Sequence, residues 1–134
     1  MPPATTRVMI VDDHPVVRKG LASFLGHEPD LEVVGMADSG EQALEMAAEL
    51  HPDIVLMDLS MPGMGGIEAT RRLVQTAPGT RVMMLTSFGG HERMVEALKS
   101  GAVGYVVKDT APADQLIALR SVAATGKAPE TTAS

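Results

Sequence analysis

Apolar residues gather in five short runs: VMIV (8–11), VVGM (33–36), IVLM (54–57), VMML (82–85) and YVV (105–107). VMIV, IVLM and VMML are aliphatic throughout. A strand with one wet face alternates between apolar and polar; an unbroken run predicts a strand covered on both faces, as in a parallel sheet. Between the runs the apolar positions take the helical period. Val17, Leu21, Phe24 and Leu25 share one face of a first helix. Ala43, Leu44, Ala47 and Leu50 share a face of the second, which Ser39 and Gln42 open at capping-box spacing. Ile67, Thr70, Leu73 and Val74 mark the third. Met94, Val95 and Leu98 mark a short fourth, stopped by Ser100-Gly101. Leu116, Leu119, Val122 and Ala123 mark the fifth, with Pro112 near its start and Gly126 at its end. Five strands alternating with five helices predict an α/β domain built from right-handed βα crossovers.

The pattern places the domain at residues 7–125. Residues 1–6 read as a loose N-terminus, and KAPETTAS near the C-terminus (126–134 with Gly126) as a linker-like tail. A chain of 134 residues is long enough for one domain with a real core. With only Phe24, Phe88 and Tyr105 aromatic, that core is aliphatic, and the ten methionines read as filler for it. A formal net charge of -6 argues against an open nucleic-acid surface, which needs clustered Lys and Arg. Without cysteine, disulfides and thiolate metal sites are excluded. No apolar stretch approaches membrane-spanning length, and MPPATTR is no signal peptide, so the expectation is a cytoplasmic protein with no membrane partner.

The chemistry lies at the ends of the runs. In an open α/β sheet, ligands bind outside the carboxyl ends of the strands. The first run ends in Asp12-Asp13, the third in Asp58, the fourth in Thr86-Ser87 and the fifth in Lys108. The fold therefore brings three carboxylates, a hydroxyl pair and one ammonium to one edge. Three carboxylates that close cannot all stay ionised unless one takes a proton or a cation sits among them. Hard carboxylate oxygens suit Mg²⁺, with Mn²⁺ as the substitute, and Mg²⁺ readily takes phosphate oxygens too. A carboxylate nucleophile beside a metal position, a lysine and a hydroxyl describes aspartyl-phosphate chemistry.

The motifs VDDHPVVRKGL, PDIVLMDLSMPGMGG, MMLTS and GAVGYVVKD stand in that order, each at a strand end. With them the chain resembles the receiver domain of two-component response regulators over about residues 7–125, most closely the NarL/FixJ (LuxR-type) regulators. The resemblance implies a doubly wound (βα)5 flavodoxin-like fold with strand order 2-1-3-4-5. It implies Asp58 as phosphoacceptor for a sensor histidine kinase. It implies Mg²⁺ held by Asp12, Asp13, Asp58 and the backbone carbonyl of Ser60. Lys108 would pair with the phosphoryl group, Thr86 would move toward it, and Tyr105 would follow as a rotameric switch. The segment Ser87–Gly90 would be the mobile element, and the surface of helix 4, strand 5 and helix 5 the output face. Regulators of this type usually act on DNA through a C-terminal helix-turn-helix domain, absent from this chain. Leu116, Ile117 and Leu119 spread around helix 5 more widely than one core stripe needs, which points to a homodimer or another partner. Asp109 departs from the proline that many receivers carry after the lysine.

Each residue alone has a plainer reading. Asp13 can be an N-cap, Asp58 a turn residue, Lys108 a solvated strand end, Thr86 a loop hydroxyl and Tyr105 a strand aromatic. The four histidines read as surface or capping residues. Three rival functions are a stand-alone receiver acting by protein contact, a degenerate binding module and an aspartyl-phosphate phosphohydrolase. The last usually needs a second acid two residues after the nucleophile, where this chain has Ser60. The expectation is thus no enzyme in the turnover sense, only self-catalysed transfer to and hydrolysis from Asp58.

Overall fold

The computed structural model describes residues 5–86, 91–108 and 110–126, and within helix 4 it leaves the side chains of His91 and Glu92 undescribed. Ser87–Gly90, Asp109 and the tail 127–134, on which three sequence expectations fall, lie outside the described residues. The elements run β1 (Thr6–Val11), α1 (Pro15–Gly26), β2 (Leu31–Ala37), α2 (Gly40–Leu50), β3 (Ile54–Asp58), α3 (Gly66–Thr76), β4 (Arg81–Thr86), α4 (His91–Ser100), β5 (Gly104–Val107) and α5 (Pro112–Thr125). β1 begins at Thr6, one residue before the predicted domain edge. All four strand pairings are parallel, in the order β2-β1-β3-β4-β5 that the sequence reading expected.

The unbroken apolar runs have a direct cause. Successive side chains of a strand point to opposite faces, and helices cover both faces here. Met9, Val11, Val55, Met57, Val82 and Met84 pack with Ala43 and Ala47 of α2, Ile67 and Leu73 of α3, and Ala97 of α4. Their neighbours Val8, Ile10, Ile54, Leu56, Met83 and Leu85 pack with Leu25 of α1 and Leu116, Leu119 and Val122 of α5. Both faces are dry along the middle of β1, β3 and β4, so the polar residues of these strands stand only at their ends.

The helix starts follow local chemistry. Ser39 Oγ accepts from the Gln42 N–H at 3.1 Å, as the capping-box spacing predicts. The Gln42 side chain reaches one residue further back than that motif requires, accepting from the Asp38 N–H at 2.7 Å. Pro15 opens α1 and Pro112 opens α5, where a missing N–H costs nothing.

Three helix faces differ from the sequence reading. In α4 the buried residues are Met94 and Ala97, while Val95 (50%) and Leu98 (43%) are exposed. Met94 and Ala97 face the core on the α3 side, and the bulkier residues on the adjacent stripe turn outward. In α3, Ile67, Thr70 and Leu73 are buried as expected, joined by Ala69, but Val74 is 40% exposed. Ala123 is likewise exposed on α5. Ile117 stands 58% exposed beside buried Leu116 and Leu119, so the apolar surface of α5 does exceed its core stripe.

Candidate functional site

The register of the sheet delivers the site. β1 ends at Val11, and the Asp12 N–H continues its ladder onto the Ala37 carbonyl at 3.1 Å. Asp58 is the last residue of β3 and pairs with Leu85 of β4. Thr86 ends β4 opposite Val107, and the Lys108 N–H bonds the Thr86 carbonyl at 2.8 Å. Asp12, Asp58, Thr86 and Lys108 thus stand on four strand ends at one edge. After Asp58 the chain turns tightly into α3. A Cβ on Gly66 would meet the Asp58 carbonyl oxygen at 2.2 Å, so only glycine fits there.

The side chains converge. Lys108 Nζ lies 2.9 Å from Asp12 Oδ2 and 3.3 Å from Asp58 Oδ1. The Ser60 N–H donates to Asp58 Oδ1 at 3.2 Å. The His14 N–H donates to Asp12 Oδ1 at 2.8 Å, and His14 Nδ1 lies 3.0 Å from that oxygen and 3.2 Å from Asp13 Oδ1. Asp12, Asp58 and Thr86 are buried, with Asp58 only 2% exposed. Asp58 Oδ2 is buried and has no hydrogen-bond partner. Asp12, Asp13, His14 and Asp58 offer ligand atoms that all lie within 4.8 Å of one another. An orphan carboxylate oxygen inside a set of hard oxygen donors fits a divalent cation.

The electrostatics separate the two buried acids. Burial pushes the Asp58 carboxyl up to about 6, the Asp12 charge adds to this, and Lys108 and the Ser60 N–H only partly oppose it. Burial acts upward on Asp12 too. Its bonds to Lys108 and to the His14 N–H outweigh burial and hold the carboxyl below the usual carboxylate range. Burial weakens the Lys108 ammonium, but the bond to Asp12 and the charges of both acids raise its pKa on balance. Asp12 and Lys108 therefore form a firm ion pair, while Asp58 is left short of positive charge.

Of the residues singled out from sequence, Asp12, Asp13, Asp58 and Lys108 come together directly. Thr86 is buried on the neighbouring strand end. Tyr105 is half-buried on β5 and packs on the α2–α3–α4 side of the sheet. Ser60 is exposed at the rim. The plainer reading of Asp13 as an N-cap does not hold: the cap position of α1 is His14, and its side chain makes no cap bond. Asp13 instead turns its carboxylate to the His14 ring.

Sequence reasoning missed three contributors. One is His14, set aside with the other histidines. The second is Arg18, whose Nη1 donates to the Asp12 carbonyl oxygen at 2.5 Å. The third is Arg93 of α4, whose Nη1 donates to Ser60 Oγ at 2.9 Å across the mouth of the site. His14 had a signal, since it directly follows the acid pair. Arg93 had none, because its contact joins residues 33 apart.

Comparison with known proteins agrees with this geometry. The family model of the response regulator receiver domain matches residues 8–120. The nitrate/nitrite response regulator protein NarL of Escherichia coli K12 is 43% identical over 122 residues, covering 91% of this chain and 56% of that protein. An uncharacterized transcriptional regulatory protein of Bacillus subtilis, YhcZ, is 47% identical over 116 residues, covering 87% and 54%. The chain thus spans about half the length of the curated relatives it matches. Among solved structures, a LuxR-family two-component response regulator from Aurantimonas sp. superposes with a TM-score of 0.87 at 39% identity, covering 93% of this chain and 89% of that one. The receiver domain of a putative NarL regulator from Mycobacterium tuberculosis gives 0.87 at 32% identity, covering 92% and 99%. The matched stretch spans the whole sheet and the acidic edge built on it, and the chain belongs to the response regulator receiver domains, alongside the NarL/LuxR-type regulators.

Proposed function

We propose that Asp58 accepts a phosphoryl group from a sensor histidine kinase in a Mg²⁺-dependent reaction, and that the modified domain signals through its α4–β5–α5 surface. The observation that carries this reading is the buried Asp58 carboxylate, held on one oxygen by Lys108 and Ser60 and left without a partner on the other.

Asp12, Asp13, Asp58 and the Ser60 carbonyl would hold Mg²⁺, which would neutralise the negative charge that gathers during transfer. The other steps belong to the chain. A carboxylate oxygen of Asp58 attacks phosphorus in line, forming the O–P bond as the P–N bond of the phosphohistidine breaks and its electron pair returns to the imidazole. Lys108 stays paired with Asp12 and stabilises charge on the transferring group. The modification adds roughly two negative charges. Thr86 then moves to donate to the phosphoryl oxygens and Tyr105 takes the space it leaves. Exposed Val95, Leu98 and Ile117 on α4 and α5 offer apolar surface to a second copy or another partner.

The relatives named as transcriptional regulators support a transcriptional output, exerted through a DNA-binding domain beyond the residues of this chain. A domain acting in this way works in the cytoplasm, where histidine kinases present their phosphohistidine. No described helix is long and apolar enough to cross a membrane. Ser60, two residues past Asp58, supplies no second acid for sustained ester turnover, so the chemistry ends at transfer to and hydrolysis from Asp58.

Intact mass after incubation with acetyl phosphate and Mg²⁺ tests the reading. Wild type gains one phosphoryl mass, and Asp58→Ala gains none. A gain in both proteins, or in neither even with a kinase donor, overturns it.

A further inference from the structure

We infer that His14 is a selectivity-setting ligand of the acidic site and gives it a preference for a borderline divalent cation, Co²⁺, over Mg²⁺; the inference rests on the cation site proposed above. His14 Nδ1 lies 3.0 Å from Asp12 Oδ1 and 3.2 Å from Asp13 Oδ1. Neighbouring ligands on an octahedral cation are about 3 Å apart when the bonds are about 2.1 Å. The imidazole nitrogen is therefore spaced from both acids as a fellow ligand is.

Two further observations point the same way. Asp58 Oδ2 is buried without a partner, so the protein's own donors do not close the cluster. The His14 ring also does nothing for the helix it heads. It occupies the cap position of α1 but makes no side-chain cap bond, where Ser, Thr, Asp or Asn would supply one. Its backbone is fixed nonetheless. The His14 N–H donates to Asp12 Oδ1 at 2.8 Å, and its carbonyl accepts from the Arg18 N–H at 3.0 Å in the first turn. That anchoring aims the ring at the acid pair while leaving its outer edge exposed to incoming cations.

The donor type sets the expected preference. Mg²⁺ takes oxygen ligands and sheds water reluctantly, so an imidazole adds little to its binding. Imidazole nitrogen suits the later first-row metals, whereas Mn²⁺ like Mg²⁺ suits oxygen donors, so the benefit is small for Mn²⁺ and larger for Co²⁺.

Calorimetric titration of the whole chain with Mg²⁺, Mn²⁺ and Co²⁺ tests this, comparing wild type with His14→Ser. Serine is favoured at a helix cap, so α1 is not weakened, and its side chain is too short to take the place of imidazole. Wild type binds Co²⁺ at least about tenfold more tightly than Mg²⁺. His14→Ser loses about tenfold in Co²⁺ affinity, shifts the visible absorption of bound Co²⁺, and keeps its Mg²⁺ affinity within about twofold. Normal Mg²⁺ binding with no change for Co²⁺, or Co²⁺ and Mg²⁺ affinities that move together, overturns the role of His14 and spares the cation site. Failure of wild type to bind any of the three overturns the cation site and this inference with it.

Discussion

Two clusters of charge sit near opposite ends of the strands and are built on opposite principles. Near the amino ends, Arg120 of α5 donates to both oxygens of Asp30, at 2.9 and 3.0 Å, and to Glu28 at 2.6 Å. The cluster is exposed, and every charge in it has a partner. The bonds to Asp30 and Glu28 raise the Arg120 pKa, and the bond from Arg120 lowers that of Asp30. At the carboxyl ends, Asp12 and Asp58 share Lys108 and take one N–H each, from His14 and Ser60, with Asp13 beside them. They lie largely out of water, and one oxygen each of Asp13 and Asp58 is left without a hydrogen bond. Water and salt screen the first cluster, so it joins α5 to the turn before β2 at little energetic consequence. The second cannot be screened and is not fully satisfied. A fold keeps such a site for its chemistry, since buried ion pairs are weak stabilisers even when complete.

The sharpest way to break this contrast is Lys108→Met. It strands two buried carboxylates without their cation and should destabilise the domain by about 3 kcal/mol at neutral pH, measured by urea unfolding. The loss should shrink toward pH 5, as Asp58 takes up a proton. A variant as stable as wild type at pH 7.5 would mean that the acids are already compensated by other means.

Asp58→Asn should act in the opposite direction. The Asp58 pKa is raised to about 6 in the folded protein from an ordinary 3.8. Between those values the native state binds more protons than the unfolded one, so stability falls as pH rises through that window. The full cost is present above about pH 6 and absent below about pH 4. Removing the charge should therefore stabilise the domain by about 2 to 3 kcal/mol at pH 7.5, the opposing Lys108 contact being already part of that raised pKa, and by almost nothing at pH 4. Thermal melts across that range check both the sign and the window. The smallest effect belongs to Arg120→Ala, whose melting temperature should stay close to wild type, the small difference vanishing in high salt.

The two clusters also differ in how far the sequence announced them. Asp12, Asp58, Thr86 and Lys108 each close an apolar run, and a strand buried on both faces leaves few places for a polar residue except its end. That regularity made the site readable from the chain alone. Arg120, Glu28 and Asp30 meet across some ninety residues, with no periodic signal to join them. The α4 face was misread for a related reason. Val95 and Leu98 are bulkier than Ala97, so apolar size pointed to the wrong stripe, whereas a close-packed core selects for fit as much as for area.

By itself the sequence determined the number and order of the elements, the two-sided burial of β1, β3 and β4, and the set of reactive groups at their ends. Those features come from local periodicity and from the alternation of side chains along a strand. Tertiary structure alone decided that the His14 ring turns onto the acid pair, that Arg93 reaches Ser60 from α4, and that Asp58 keeps one oxygen without a partner. Each of these depends on which groups meet after the chain has folded back on itself, and burial then sets the price in charge that local pattern cannot express.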